Sequence, residues 1–417
     1  MVSMCFYFQV HQPYRIRKYS VFDIGKKKDY FEDRSGTKLD NSWIINKVKN
    51  KCYLPTNAVL LELLNKHPEF KIAFSFSGVF LEQLEEFAPE VLKSFQDLVA
   101  TGRVEILGET YYHSLAFLFD KDEFKEQVLL HAKLVKQLFG VEPKVFRNTE
   151  LVYNNELANF VEEMGYKGII AEGWDHYLGW RSPNFLYKAV GTSKIKTLLK
   201  NYKLSDDVAF RFSNRGWKEW PLDVNKYVQW INSINGNGEV VNLFMDYETF
   251  GEHQWEDTGI FEFLRYLPGE FLKHPDNDFK TPSEVVDSYE VRDEYDVHEY
   301  LSWADMERDL SAWVGNEIQD DAAKKAYALG KKVKLTGNGL LVHRWRKLLT
   351  SDHFYYMCTK YFNDGDVHKY FSPYDSPYEA FISYMNVLQD LEMEVDEILK
   401  ERGFLVNGDI VDNKVNL

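Results

Sequence analysis

The chain has 417 residues, with 65 Asp and Glu against 50 Lys and Arg, a formal net charge of −15. That charge argues against nucleic acid or an anionic membrane as the main partner, and the composition excludes disordered, collagenous and coiled-coil chains. The unusual component is aromatic: 30 Phe, 26 Tyr and 10 Trp, more Tyr and Trp than a core alone explains.

The N-terminus, Met1-Val2-Ser3-Met4-Cys5-Phe6-Tyr7, carries neither the basic stretch nor the small-residue cleavage site of a secretion signal. It reads as a strand almost from the first residue. The first 250 residues then alternate β-rich runs with helical patterns. The runs are 5–11, 71–76, 103–108, 144–149, 166–171, 195–202 and 240–246; the helical stretches are 56–66, 80–101, 121–139 and 154–164. Several runs are nearly all apolar, such as Val-Val-Asn-Leu-Phe-Met at 240–245. Strands buried on both faces of a parallel sheet have that character. The alternation predicts right-handed βαβ units, and seven strands favour a (β/α)7 barrel, a distorted relative of the eight-stranded form.

A break rich in Pro, Gly, Asp, Asn and Lys follows at 268–282, and beyond it the strand signal nearly vanishes. Ser302 is the expected N-cap of a helix with Asp305 in its first turn. Helical patterns cover 302–335, 339–362 and 376–402. The expected division is a barrel over 1–270 and a mainly helical region over 283–417. No window approaches the roughly 20 apolar residues of a membrane span. Cys5, Cys52 and Cys358 are too scattered for a disulfide framework or a metal knuckle. Buried thiols in a reducing cytoplasm are the expectation.

In a parallel barrel, chemistry gathers after the C-terminal ends of the strands. There the chain places His11-Gln12-Pro13, Gly108-Glu109-Thr110-Tyr111-Tyr112-His113, Arg147-Asn148-Thr149-Glu150, Glu172-Gly173-Trp174-Asp175-His176 and Asp246-Tyr247-Glu248-Thr249-Phe250-Gly251-Glu252-His253-Gln254-Trp255. A lone carboxylate at a strand end is more often an ion-paired surface group than a catalyst. Five strand ends of one character outweigh that reading. Paired carboxylates serve glycosidic bond cleavage, and flat aromatic faces suit sugar rings.

At these residues the sequence resembles glycoside hydrolase family 57, in particular its α-amylase-like branch. The resemblance rests on five ordered motifs: Val10–Pro13, Gly108–His113, Phe146–Leu151, Met245–His253 and Leu349–Tyr356. The segment Leu301–Asp309 adds to it. The resemblance implies a (β/α)7 barrel, a helical C-terminal part completing the active site, and retention of anomeric configuration on α-1,4-glucans such as starch, glycogen and maltooligosaccharides. It implies no cofactor and no metal. Glu150 is the implied nucleophile and Asp246 the implied general acid/base, with carboxyl groups about 5–5.5 Å apart as retention requires. Asp246 then needs a raised pKa, expected from the neighbouring charges of Glu248 and Glu150. His11, Glu109, Glu248 and Asp352 are implied to surround the sugar. Trp174, His253, Trp255, Trp303 and His353 are candidates for subsite contacts, with packing roles as the competing reading. Arg147 is a candidate for holding Glu150 ionised. Odd spacing on an extended strand, however, puts the two on opposite faces.

Three other readings compete. The same carboxylate pair serves a 4-α-glucanotransferase or branching enzyme. A metal-dependent deacetylase- or mannosidase-like site would draw on His11, His113, Asp175, His176, Asp246 and His253, but Pro13 stands where such sites carry a ligand Asp. A non-catalytic sugar-binding protein explains the aromatics and leaves the Glu150/Asp246 pair without a purpose.

Overall fold

The computed structural model of the protein describes residues 2–26, 29–360, 365–406 and 409–410. The chain divides into two compact units, each assembled from separate stretches. The first comprises Met1–Gln12, Ile45–Tyr111 and Val128–Trp303; the second comprises Pro13–Ile44, Tyr112–Gln127 and Ala304–Leu417.

The first unit carries ten strands: β1 (Ser3–Val10), β2 (Ile72–Phe76), β3 (Val104–Ile106), β4 (Val145–Arg147), β5 (Gly168–Glu172), β6 (Leu186–Ala189), β7 (Lys196–Lys200), β8 (Val240–Asp246), β9 (Asp278–Phe279) and β10 (Val291–Tyr295). One parallel sheet runs β3-β2-β1-β8, and a second contains β7-β5-β4 in parallel. Backbone bonds join the two. The Gly108 N–H donates to the Val145 carbonyl (2.9 Å), and the Arg147 N–H donates to the Gly108 carbonyl (2.8 Å). On the other side the Asn201 N–H donates to the Asn242 carbonyl (2.9 Å). The seven strands anticipated from the sequence therefore follow one another around a barrel, in the order β1-β2-β3-β4-β5-β7-β8. Gly108 sits where no larger residue fits, because a Cβ there would stand 2.5 Å from the Tyr166 hydroxyl.

Side chains alternate along each strand. Cys5, Tyr7, Ala73, Val145, Ile170, Leu198 and Phe244 turn inward to one buried apolar cluster. Full burial of a large apolar side chain contributes about 1.5–3 kcal/mol. Two residues further along the same strands, on the same face, stand Gln9, Ser75, Arg147, Glu172, Lys200 and Asp246. The barrel is thus filled by apolar groups and topped by a polar ring at the C-terminal strand ends. Helices cover the outside. Pro89–Val99, for example, buries Val91, Leu92, Phe95, Leu98 and Val99, the spacing of a core-facing stripe.

Some expectations are corrected. The helical pattern over 80–101 is two helices, Gly78–Phe87 and Pro89–Val99, because Pro89 cannot continue a helix and sits well at the start of one. The break at 268–282 opens later, since the helix Ile260–Phe271 runs through Pro268. Strands β6, β9 and β10 were missed: β9 has two residues, and β10 carries an exposed Arg-Asp-Glu centre that reads as loop. Ser302 caps no helix. Asp305 and Arg308 adopt left-handed backbone (φ 55° and 49°), and the next helix begins at Ser311.

The second unit is mainly helical, with Glu317–Ala328, Gly330–Leu335, Gly339–Leu348, Ser351–Tyr355 and Pro377–Glu401. Residues 361–362 of the expected helix over 339–362 lie outside the described residues. Buried Asp390 accepts from the hydroxyls of Tyr30 (2.7 Å) and Tyr19 (3.1 Å) and from the Gly25 N–H (2.6 Å), tying the segment after Pro13 to the last helix. Buried Glu123 takes a two-pronged bond from Arg346 (2.7 and 3.0 Å).

Candidate active site

β4 ends at Arg147, and the chain turns sharply behind it. Glu150 (φ 56°, ψ 24°) and Leu151 (φ 51°) both adopt left-handed backbone. For residues other than glycine this conformation costs on the order of 1–3 kcal/mol each and concentrates at functional sites. Neighbours hold it in place. The Leu151 side chain is locked in the barrel core. The Asn148 side-chain amide donates to the Val152 carbonyl (3.0 Å). Tyr153 and Leu301 exchange backbone bonds of 2.8 and 2.9 Å. The turn lifts the Glu150 carboxylate off the strand, so strand parity does not govern its relation to Arg147.

Trp303 binds this turn twice. Its backbone N–H donates to the Glu150 carbonyl (3.3 Å), and its indole N–H donates to Glu150 Oε2 (2.9 Å). The Arg147 guanidinium lies over the Trp303 ring, 5.1 Å from its centre. Arg147 is fully buried and pairs with fully buried Glu109 at 3.7 Å. Glu109 Oε2 also accepts from the Ser75 hydroxyl (2.7 Å) and the Gln9 amide (3.3 Å). The structure thus brings Glu109, Arg147, Trp303 and Glu150 into one chain of contacts.

Asp246 ends β8. Two residues on, Glu248 is buried, and its Oε1 accepts from the Tyr53 hydroxyl (2.6 Å) and, weakly, from the Gln12 amide (3.4 Å). Burial, and after it the charge of Asp246, push the Glu248 pKa from an ordinary 4.5 up to about 8. The raised carboxyl is that of Glu248, the neighbour the sequence sets beside Asp246. Tyr53 ends a five-residue π turn, Lys49–Tyr53, between two α-helices, a local irregularity common at functional sites.

The rest of the motif after β8 folds tightly. Gly251 has φ 105°, and a Cβ there would stand 1.9 Å from the Lys51 carbonyl oxygen, which explains glycine at that place. Burial pulls the His253 pKa down to about 4, outweighing the raising effect of Glu252, so its imidazole is neutral at pH 7. Exposed Trp255 donates from its indole to the Glu252 carbonyl (3.1 Å), with the Lys51 ammonium 5.2 Å from its ring centre. His11 Nδ1 bonds the Ser77 hydroxyl (2.6 Å) at the end of β2. Trp174 follows β5 and stacks loosely on His176, ring centres 4.8 Å apart. Asp352 and His353 lie in the helix Ser351–Tyr355 of the second unit, where His353 Nε2 bonds the Lys347 carbonyl (3.1 Å).

Sequence reasoning passed over two participants, Tyr53 and Lys200, and named Glu172 only as one of a strand-end group. Lys200, the last residue of β7, is buried with its ammonium 3.6 Å from Glu172, 3.2 Å from Asp206 and 5.3 Å from the centre of the Trp303 ring. Its place in the inward alternation of β7 was the signal available.

Residues 5–298 match the model of glycosyl hydrolase family 57. The chain belongs to that family. A relative from Methanocaldococcus jannaschii, provisionally named an alpha-amylase, is 47% identical over 415 residues, covering 97% of this chain and 87% of its own. An alpha-amylase of Pyrococcus abyssi is 25% identical over 211 residues, half of this chain and 30% of that longer protein. Among solved structures, a family 57 branching enzyme of Thermococcus kodakaraensis superposes with a TM-score of 0.70 at 14% identity, covering 99% of this chain and 92% of its own. At that identity the likeness carries the fold alone. The polar ring described above stands at the C-terminal ends of the barrel strands, where the chemistry of parallel barrels gathers.

Proposed function

We propose that this family 57 protein cleaves α-1,4-glucans with retention, through a covalent glycosyl-enzyme. The Glu150 carboxylate attacks the anomeric carbon as the glycosidic C–O bond breaks, and Asp246 gives its proton to the departing oxygen. Asp246 then takes a proton from the water that attacks the anomeric carbon and frees Glu150. The observation that carries this reading is the Glu150 turn. A strained, left-handed backbone presents one carboxylate at the barrel's C-terminal face, with its Oε2 fixed by an indole N–H. Opposite in kind, the Asp246/Glu248 pair lies at the end of β8, where burial and mutual repulsion favour keeping a proton. Glu109 and Arg147 order the floor of the site, while His11, Trp174, His253 and Trp255 contact the glucan around it. For Asp352 and His353 a part in substrate binding rests on the resemblance of their motif. Among the described residues no helix is long and apolar enough to cross a membrane. Three buried free thiols support a cytoplasmic enzyme.

The test is product analysis with maltoheptaose and soluble starch. Only shorter sugars are expected; products longer than the donor, or new branch points, would assign transfer or branching to the same pair. Glu150→Ala is expected to abolish turnover with an unchanged circular-dichroism spectrum. Near-normal turnover in that variant would remove Glu150 from the chemistry.

A further inference from the structure

We propose that Trp303, with the Lys200 ammonium and the Arg147 guanidinium over its ring, is the positioning device of the nucleophile. This rests on Glu150 being the nucleophile, as proposed above. Sequence motifs place Trp303 among candidate sugar platforms, yet its indole N–H is committed to Glu150 Oε2 at 2.9 Å. Its backbone N–H holds the carbonyl of the same residue at 3.3 Å. Two cations lie over the indole, Arg147 at 5.1 Å and Lys200 at 5.3 Å from the ring centre. A cation over an indole draws on its electron density and makes the ring N–H a stronger donor, and a hydrogen bond to a charged acceptor favours the charged form.

Each of the two cations is also matched to buried or part-buried carboxylates. Arg147 on β4 answers Glu109 at 3.7 Å. Lys200 on β7 answers Glu172 on β5 at 3.6 Å and Asp206 at 3.2 Å. The guanidinium nitrogens of Arg147 make no hydrogen bond among the described residues, so its influence is exerted through charge. Trp303 carries that influence to Glu150. Its bond also fixes which way the carboxylate of the strained turn points. Trp303 and Lys200 are positioning residues, which need not touch substrate.

The experiment is the pH profile of kcat/KM on maltoheptaose, whose acidic limb reports the free enzyme's ionised nucleophile. Trp303→Phe keeps a ring and removes the donor. Its limb is expected to move up by about one pH unit, with kcat at pH 7 down about tenfold. Lys200→Met is expected to move the limb in the same direction, and Lys200→Arg to bring it back. A merely structural tryptophan would lower the melting temperature and leave the limb in place. Folded Trp303→Phe with an unmoved limb overturns the proposal. If that variant does not fold, the Lys200→Met and Lys200→Arg pair decides by the same readout. An inactive Glu150→Ala alongside unmoved limbs would refute this inference only, whereas an active Glu150→Ala would refute the nucleophile assignment itself.

Discussion

Glu248 offers a stability test independent of any substrate. Its pKa stands at about 8 in the folded protein against an ordinary 4.5. Between those values the folded chain keeps a proton that the unfolded chain has released. The stability held by protonated Glu248 is therefore complete below pH 4.5 and is lost as pH rises through 8. A separation of about 3.5 units at about 1.36 kcal/mol each gives a loss of about 4–5 kcal/mol by pH 9. Glu248→Gln keeps the shape of the protonated acid, and its carbonyl still accepts from Tyr53. The variant has no charge to bury. It should match the wild type near pH 5 and exceed it at pH 9. At about 2–4 °C per kcal/mol, the gap in melting temperature should open to on the order of 10 °C. Scanning calorimetry of both proteins at pH 5, 7 and 9 measures it. Parallel melting curves across that range would show that Glu248 is not protonated in the fold, and the account of the β8 strand end would fall with it.

Two further predictions concern packing. Gly251→Ala sets a Cβ against the Lys51 carbonyl at a backbone φ of 105°, so a loss of at least about 3 kcal/mol is expected, read as a lowered melting temperature or a lack of soluble protein. Asp390→Ala strips the acceptor from Tyr30 and the Gly25 N–H and leaves Tyr19 its bond to the Asp23 carbonyl. It should cost about 3 kcal/mol in urea unfolding and speed proteolysis of the segment after Pro13, with Asp390→Asn recovering part of the loss.

The barrel was legible because its physics is local to each strand: short apolar runs, separated by helical patterns, mark strands buried on both faces. The polar ring was legible in principle too. Tyr7 and Gln9, Ala73 and Ser75, Val145 and Arg147, Ile170 and Glu172, Leu198 and Lys200, and Phe244 and Asp246 repeat one step from apolar to polar, two residues apart. Lys200 lay inside the run read at 195–202, and its inward place there went unused; Glu172 was placed just beyond the run at 166–171, although it is the last inward residue of β5. Tyr53 was beyond reach, because its aim depends on a π turn that hydrophobic periodicity does not mark. The parity argument against Arg147 assumed an extended chain to Glu150. The strand stops at Arg147, and left-handed backbone at Glu150 resets the direction of the side chain. The helix expected from Ser302 failed for a related reason, since Asp305 and Arg308 are left-handed in a segment whose composition alone permits a helix.

The charges of the polar ring divide into those that hold the site and those that work it. Arg147 and Lys200 are each matched to a fully buried carboxylate, Glu109 and Glu172. A buried cation without such a partner would be prohibitively costly, and removal of either carboxylate would leave it stranded. Were a guanidinium instead clamped by two prongs on Glu150, the carboxylate would be ionised but held through both oxygens, a poor attacking group. Passing the positive field through the Trp303 indole separates the two requirements: the ring N–H holds Oε2, and the cations act from over the ring. On the opposite side of the division, burial and like-charge repulsion keep the Asp246/Glu248 pair richer in protons than two free carboxylates would be. The two carboxylates assigned to bond cleavage thus stand in opposite electrostatic surroundings, cations near Glu150 and a carboxyl beside Asp246. A nucleophile and an acid of similar intrinsic pKa need that contrast to work at the same pH.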